Sequence, residues 1–210
     1  CRHYPVDHLV YASSSSVYGD LETSPKKEIE MGRPLSPYAA SKYANELYAQ
    51  AFANCYGMQT IGLRYFNIFG PRQDPTGPYA AVIPLWITSL LNDEPVYING
   101  DGQTSRDFCY IDNAIQANLL AALTTNQRAL NQVYNTTVGQ QTTLNELFDL
   151  ITRYLDISRS PIYRDFRLGD IRHSLADISQ AKNLLGFEPQ SSVQEGLKTT
   201  VDWFVAKTRM

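Results

Sequence analysis

Leu9-Val10-Tyr11-Ala12-Ser13-Ser14-Ser15-Ser16, Ser36-Pro37-Tyr38-Ala39-Ala40-Ser41-Lys42 and Thr60-Ile61-Gly62-Leu63-Arg64-Tyr65-Phe66-Asn67 decide the fold. Residues 9–12 are apolar and end in the serine run, which predicts a short buried strand. Ser36 offers a hydroxyl N-cap, and Pro37 suits the first helical position. The Ala-, Leu-, Tyr-, Glu- and Lys-rich run to Tyr56, stopped at Gly57, predicts a long helix. Residues 60–66 are β-prone and mostly apolar, a second strand. Strand, helix and strand make a βαβ unit, so the class is α/β with a parallel sheet and helices on its faces. Ligands bind beyond the carboxyl ends of such strands. The serine run follows the first strand and Asn67 the second, so both face one crevice.

Further along, residues 20–35 carry Pro25, Gly32 and Pro34 and read as a loop, as do residues 67–78. Residues 80–92 read as a helix with Pro84 in its first turns. A short strand at 96–98 precedes a turn at Asn99-Gly100-Asp101-Gly102. Asp112 is placed to cap a helix over 113–123, and residues 132–135 form a strand. Thr143 and Glu146 have capping-box spacing for a helix to about residue 155. A strand at 162–163, a helix from Asp177 to Gly186 and an amphipathic helix over 193–207 complete the chain. No internal repeat occurs.

The 210 residues carry 18 Lys+Arg against 21 Asp+Glu, a net charge of -3, which leaves no basic surplus for nucleic-acid phosphates. With 43 % hydrophobic and 19 % charged residues the chain is not of disordered composition. No apolar run approaches the roughly 18 residues of a transmembrane helix, so no membrane partner is expected. Cys1, Cys55 and Cys109 are widely spaced and His3, His8 and His173 match no metal-ligand pattern. No metal site is expected, and the thiols read as buried and reduced in a cytoplasmic protein.

Tyr38 and Lys42 lie four apart on the predicted helix, hence on one face with Cβ atoms about 5–6 Å apart. An ammonium beside a phenol favours its ionised form, a usable base. The serines precede the pair by 22–25 positions at a strand end, where a hydroxyl can share a proton with Tyr38. Each serine also suits a backbone-bonding turn.

Tyr11-Ala12-Ser13-Ser14-Ser15-Ser16-Val17-Tyr18-Gly19, Tyr38-Ala39-Ala40-Ser41-Lys42 and Arg64-Tyr65-Phe66-Asn67-Ile68-Phe69-Gly70-Pro71 resemble the extended short-chain dehydrogenase/reductase family, and within it the nucleotide-sugar 4-epimerases. Asp74-Pro75-Thr76-Gly77-Pro78-Tyr79-Ala80-Ala81-Val82-Ile83-Pro84, Tyr97-Ile98-Asn99-Gly100-Asp101-Gly102, Ser105-Arg106-Asp107-Phe108-Cys109-Tyr110 and Arg167-Leu168-Gly169-Asp170-Ile171-Arg172-His173-Ser174 are similar to epimerases acting on UDP-N-acetylglucosamine or its uronic acid. The resemblance covers about residues 8–205. It implies the carboxyl part of a Rossmann-like parallel sheet with a smaller α/β nucleotide-sugar-binding domain. Residues 1–78 and 112–136 would belong to the dinucleotide-binding part, residues 79–111 and 137–210 to the substrate domain.

The resemblance assigns Tyr38 as general base, Lys42 to the nicotinamide ribose of NAD, and Ser14 to the bridge between sugar 4-OH and Tyr38. Ser15 and Ser16 would line the sugar site, and Tyr65 would lie by the nicotinamide with Phe66. Asn67, Arg106 and Arg167 would meet the diphosphate of a UDP-sugar, for which a guanidinium is apt. Ala81 would fall in the nucleotide pocket, Tyr97 and Asn99 by uracil and ribose, and Asp170 at a ribose contact. Read without the family, Asn67 suits a turn, Arg106 and Arg167 solvated surface charges, and Tyr97 strand packing. Ser174 stands where relatives restricted to unacetylated sugars carry a bulky Tyr, so it implies room for an N-acetyl group.

The implied reaction is NAD-dependent 4-epimerisation of a UDP-N-acetylhexosamine through a 4-keto intermediate. The 4,6-dehydratases carry an Asp-Glu pair where Ser15 and Ser16 stand, and the UDP-glucuronate 4-epimerases differ after Asn67. A non-catalytic nucleotide-sugar-binding module is the alternative of another class. It draws on the absence of any GxxGxxG or GxGxxG turn in these residues. The chain also opens at Cys1 and enters an apolar run almost at once. Both features imply the carboxyl part of a longer enzyme, whose 210 residues alone would not turn over substrate; the resemblance implies that the complete enzyme is a homodimer.

Overall fold

The computed structural model describes residues 1–4, 6–76, 81–166 and 171–208. The first half runs β1 (Leu9–Ser14), a 3-10 turn (Ser15–Tyr18), α1 (Pro37–Tyr56), β2 (Thr60–Tyr65), β3 (Ile68–Phe69), α2 (Val82–Leu91), β4 (Tyr97–Asn99) and β5 (Ser105–Arg106). Then come β6 (Cys109–Tyr110), α3 (Ile111–Leu123), β7 (Gln132–Thr136), β8 (Thr142–Thr143), α4 (Leu144–Leu155), β9 (Ile162–Arg164), α5 (Ser179–Leu185) and α6 (Val193–Thr208). The main sheet has the order β1-β2-β7, all parallel, with Leu9 opposite Thr60 and Ile61 opposite Gln132. α1 is the crossover between β1 and β2, as the βαβ reading expects.

The ends of α1 arise from local chemistry. Ser36 Oγ accepts from the Ala39 amide at 3.1 Å, satisfying one orphan donor, and Pro37 opens the helix. Gly57 closes it in the left-handed region at φ 65°. β2 then sorts its side chains by alternation. Ile61 and Leu63 are fully buried with Ala117 and Ala121 of α3, Tyr134 of β7, and Leu185 and Phe187 at the end of α5. Gly62 and Arg64 face the other way, where Arg64 meets Glu46 of α1. A β-carbon on Gly62 would lie 2.6 Å from the Tyr11 ring, so glycine is what allows this approach.

A second apolar cluster joins α2, α4 and α6 through Ile83, Trp86, Ile87, Leu147, Phe148, Leu197 and Val201. Two-stranded pairs β3-β6 and β4-β9, both parallel, and the antiparallel β5-β8 flank it. α4 carries the expected capping box: Thr143 and Glu146 bond each other's backbone amides.

Three expectations need correction. α3 starts at Ile111, not 113: β6 runs directly into it, Tyr110 takes the cap position without a side-chain bond, and Asp112 sits in the first turn. There its charge faces the positive helix end instead. α5 starts at Ser179, because Asp177 spends its carboxylate on the Ser179 amide (2.8 Å) and lies one residue before the cap position, which Ile178 takes. Of the cysteines only Cys109 is buried; Cys1 and Cys55 are exposed, Cys55 on the last turn of α1. All three are free.

Candidate active site

β1 and β2 end side by side, with Ser14 opposite Tyr65. Ser14 Oγ accepts from the Ser16 amide at 3.2 Å and so turns the chain into the 3-10 segment. That segment ends at Gly19, at φ 54°, where any β-carbon would run into the Arg33 carbonyl. Ser15 and Ser16 are thereby presented beyond the sheet's carboxyl edge. Ser16 Oγ is buried and has no hydrogen-bond partner among the described residues, so a ligand hydroxyl or water would complete it.

Tyr38 sits in the first turn of α1, about half exposed (47 %). Lys42 Nζ lies 5.8 Å from the Tyr38 ring centroid and 3.5 Å from the Ala12 carbonyl, to which it donates. The predicted pair therefore shares one helix face at the carboxyl end of β1. Tyr65, by contrast, turns its phenol toward α3 and donates to Asn118 Oδ1 at 2.9 Å. Burial raises its pKa, against the effect of the Asn118 bond, and keeps it a neutral donor.

Two pockets meet beside this edge. One, of about 250 Å³, is lined by Ser15, Ser16, Ser36, Asn67, Arg106 and Ser174, with Leu35 and Ile171 as its apolar walls. The other, of about 390 Å³, is lined by Asn67, Ala81, Trp86, Tyr97, Asn99, Arg106 and Phe108. Asn67 and Arg106 line both. Asn67 adopts φ 30° and donates from Nδ2 to the Asp107 carbonyl at 3.2 Å. Arg106 Nη1 donates to the Ile171 carbonyl at 2.6 Å and to its neighbour's, Ser105, at 2.9 Å. Ser174 is held by its amide to the Ser105 carbonyl at 3.1 Å. The Arg164 guanidinium lies 3.2 Å from the Tyr97 ring centroid, so the Tyr97 ring does more than pack on a strand.

Of the sequence-predicted residues, the structure brings Ser15, Ser16, Asn67, Ala81, Tyr97, Asn99, Arg106 and Ser174 to these two pockets, and Ser14, Tyr38 and Lys42 to the end of β1. Arg167 and Asp170 lie outside the described residues. No cluster of His, Cys, Asp and Glu among the described residues could hold a metal ion.

Two residues behind the site escape the sequence reading. Asp107, fully buried, accepts from Thr137 Oγ1 at 2.5 Å and from the Ala176 amide at 3.1 Å. It fastens the segment bearing Ser174 to that bearing Arg106. Burial pushes its carboxyl up to about 6, despite hydrogen bonds from Thr137, Ala176, Gln140 and Val138. Glu46, four residues beyond Lys42, is the other; the i, i+4 spacing that singles out Tyr38 and Lys42 would reach it.

A parallel α/β sheet with a serine turn and a Tyr-Lys pair at its carboxyl edge defines a Rossmann-like protein of the extended short-chain dehydrogenase/reductase class. Within that class the chain belongs to the NAD dependent epimerase/dehydratase family, which residues 1–136 match. It is 37 % identical over 209 residues to a putative UDP-glucose 4-epimerase of Methanocaldococcus jannaschii, covering 99 % of this chain and 66 % of that protein. The UDP-N-acetylglucosamine 4-epimerase of Methanobrevibacter ruminantium M1, solved in complex with UDP-N-acetylmuramic acid, superposes with a TM-score of 0.92 at 43 % identity. That match covers 99 % of this chain and 66 % of the neighbour. The UDP-glucuronic acid 4-epimerase of Bacillus cereus, solved with UDP-glucuronic acid and NAD, gives 0.89 at 29 % identity, over 99 % of this chain and 64 % of the neighbour. The chain spans about 60 to 66 % of the length of the curated relatives it matches.

Proposed function

We propose that the protein acts in NAD-dependent 4-epimerisation of a UDP-N-acetylhexosamine, either UDP-N-acetylglucosamine or its uronic acid, through a 4-keto intermediate. The observation that carries the reading is that Asn67 and Arg106 line both pockets. A diphosphate held there leaves its uridine toward Tyr97 and Asn99 and its sugar toward Ser15 and Ser16. Arg106 supplies a charge-assisted donor to the phosphates. In this reading Arg167 and Asp170 add contacts to diphosphate and ribose, Ala81 lets the nucleotide approach the start of α2, and residues 79–111 and 137–210 form the substrate domain. Residues 1–78 and 112–136 form the dinucleotide part, against which α5 packs.

The donor set fits the nicotinamide side of NAD. Lys42 holds its ammonium at the end of β1 beside Tyr38, with Tyr65 at the end of β2. When bound, NAD would supply hydride-acceptor and hydride-donor chemistry at the sugar C4. Tyr38 accepts the 4-OH proton, directly or through Ser14, and gives it back. Lys42 stabilises the negative charge that the Tyr38 oxygen carries before it accepts that proton. Ser15 and Ser16 hold the sugar through hydroxyls, contacts weak enough for the ring to turn and present either face of C4.

The test incubates the intact protein with UDP-N-acetylglucosamine and NAD and follows the epimer by proton NMR. Tyr38→Phe is expected to lower turnover on the order of 10²- to 10⁴-fold with UDP binding retained. Activity within about a factor of ten of wild type contradicts the assignment. A protein that binds UDP but holds no NAD and turns over nothing supports the non-catalytic module instead.

Ser174 carries the substrate assignment. Ser174→Tyr is expected to abolish turnover of the N-acetylated sugar and spare UDP-glucose; unchanged N-acetyl turnover sinks that assignment. A homodimer through α1 is part of the proposal, supported by the exposed Tyr48 and Tyr56 on that helix. So is a cytoplasmic site of action, which the three free thiols suit.

A further inference from the structure

Tyr38, Lys42 and Glu46 recur every four residues along one face of α1, and two successive residues of β1, Ala12 and Ser13, meet Lys42 and Glu46 there. The Ala12 carbonyl accepts from Lys42 Nζ at 3.5 Å, Ser13 Oγ donates to Glu46 Oε1 at 2.5 Å, and Ser14 opens the serine turn. Glu46 is also gripped by β2: Arg64 Nε donates to Oε1 at 2.8 Å and Nη2 to Oε2 at 2.7 Å. Ser13, Glu46 and Arg64 are all buried, at 2 %, 8 % and 2 % exposure. Arg64 is fixed in turn by its Nη1 bond to the Glu28 carbonyl at 3.0 Å and by the Tyr18 ring, 4.8 Å from its Cζ. Tyr18 belongs to the same 3-10 segment as Ser15 and Ser16.

We propose that Ser13, Glu46 and Arg64 form a positioning clamp that sets Tyr38 on α1 against Ser14 on β1. The inference rests on the reading of Tyr38 and Ser14 as the proton-handling pair. The physical reason is directionality. α1 touches the sheet here through a bidentate ion pair and a short hydroxyl bond, whose geometry tolerates far less sliding than apolar packing. The clamp holds the helix two turns below Tyr38 and the strand one residue before Ser14. It touches neither pocket that would hold the UDP-sugar.

The consequence is a split between kcat and KM. A misplacement near 1 Å costs on the order of 100-fold in a positioned reaction. Ser13→Ala, which leaves the ion pair intact, is expected to lower kcat with KM for the UDP-sugar unchanged. Glu46→Gln is expected to lower it further, on the order of 100-fold. Glu46→Gln also leaves the Arg64 charge buried without a counter-ion and is expected to lower the melting temperature. The decisive protein is the double variant Glu46→Gln, Arg64→Met, in which no unpaired charge remains. Its melting temperature is expected to recover while kcat stays low and KM stays normal.

Recovery of kcat together with melting temperature overturns the clamp and leaves a purely structural ion pair. So does wild-type kcat in Ser13→Ala and Glu46→Gln. A parallel rise of KM in all three variants likewise overturns it. An intact wild-type enzyme that holds NAD and shows no turnover overturns the functional reading and the clamp together, whereas an active wild type with unaffected variants overturns the clamp alone.

Discussion

The two faces of the β1-β2-β7 sheet are held by different physics. On the α3 face Ile61, Leu63, Ala117, Ala121, Tyr134, Leu185 and Phe187 form a close-packed apolar layer. On the α1 face Ser13, Glu46, Arg64 and Tyr18 form a buried polar chain that continues through Tyr18 to Asn135 Oδ1 at 2.7 Å. Apolar burial contributes about 25 cal/mol per Å² and has no direction, so it supplies stability. The polar chain contributes little net stability for its size, since its charges lose hydration, but it fixes a geometry. The helix that carries Tyr38 and Lys42 lies on the polar face.

Leu63 and Arg64 are neighbours on β2 pointing to opposite faces, which makes the contrast testable with one strand. Leu63→Ala is expected to cost about 2–5 kcal/mol, the loss of a fully buried leucine plus the cavity it leaves. Chemical denaturation reads the cost. Turnover per folded molecule is expected to stay at the wild-type value. A large fall in kcat with KM unchanged shows that the apolar face also sets the site's geometry and breaks the contrast.

Asp107 sharpens it from another side. Glu46 has a guanidinium partner, whereas among the described residues the carboxylate of Asp107 accepts from hydroxyl and amide donors. Burial raises its pKa from an ordinary 3.8 to about 6. Between those values the folded protein holds a proton that the unfolded chain has lost, so this group's stabilisation falls as pH rises through that window. The difference in unfolding free energy between wild type and Asp107→Asn is therefore expected to favour wild type more at pH 4 than at neutral pH. It is expected to shrink by about 2–3 kcal/mol toward pH 7.5. Denaturation at both pH values reads it, other groups cancelling in the difference. A gap that widens with pH refutes the raised value.

The legibility of the sequence divides along the same line. The βαβ unit, the Ser36-Pro37 start and Gly57 stop of α1, and the Thr143-Glu146 box are local patterns, and each stands where read. Ser15, Ser16 and Asn67 converge because the parallel strands β1 and β2 bring their carboxyl ends together whatever the packing beneath, whereas Arg106 reaches the same pocket from the antiparallel β5-β8 pair. The clamp is different. Glu46 and Arg64 are 18 residues apart, and a charge on a helix face reads as solvated until the sheet that covers it is known. Asp107 stands inside the motif from Ser105 to Tyr110, but its partners Thr137 and Ala176 lie 30 and 69 residues on. Cys55 is exposed against expectation for the converse reason: composition says nothing about which side of α1 faces out.

The smallest effect isolates position from stability most cleanly. Ser36 caps α1 and Thr143 caps α4, each through a side-chain oxygen 3.1 Å from the amide three residues on. Removing such a cap costs about 1 kcal/mol in either place. The two helices differ in the residues that the capped turn carries. Two residues past Ser36 stands Tyr38, in the turn that frays first when the cap is lost, and Ser36 itself lines the smaller pocket. The first turn of α4 holds Asn145 and Glu146 and serves the second apolar cluster through Leu147. Ser36→Ala and Thr143→Ala are therefore expected to lower the melting temperature alike, while only Ser36→Ala lowers kcat. Restoring the cap with Ser36→Asp, whose carboxylate accepts the same amide, is expected to bring kcat part of the way back. Equal kcat in the two alanine variants means that the first turn of α1 holds Tyr38 without its cap, and that the contacts of α1 with β1 alone set its place.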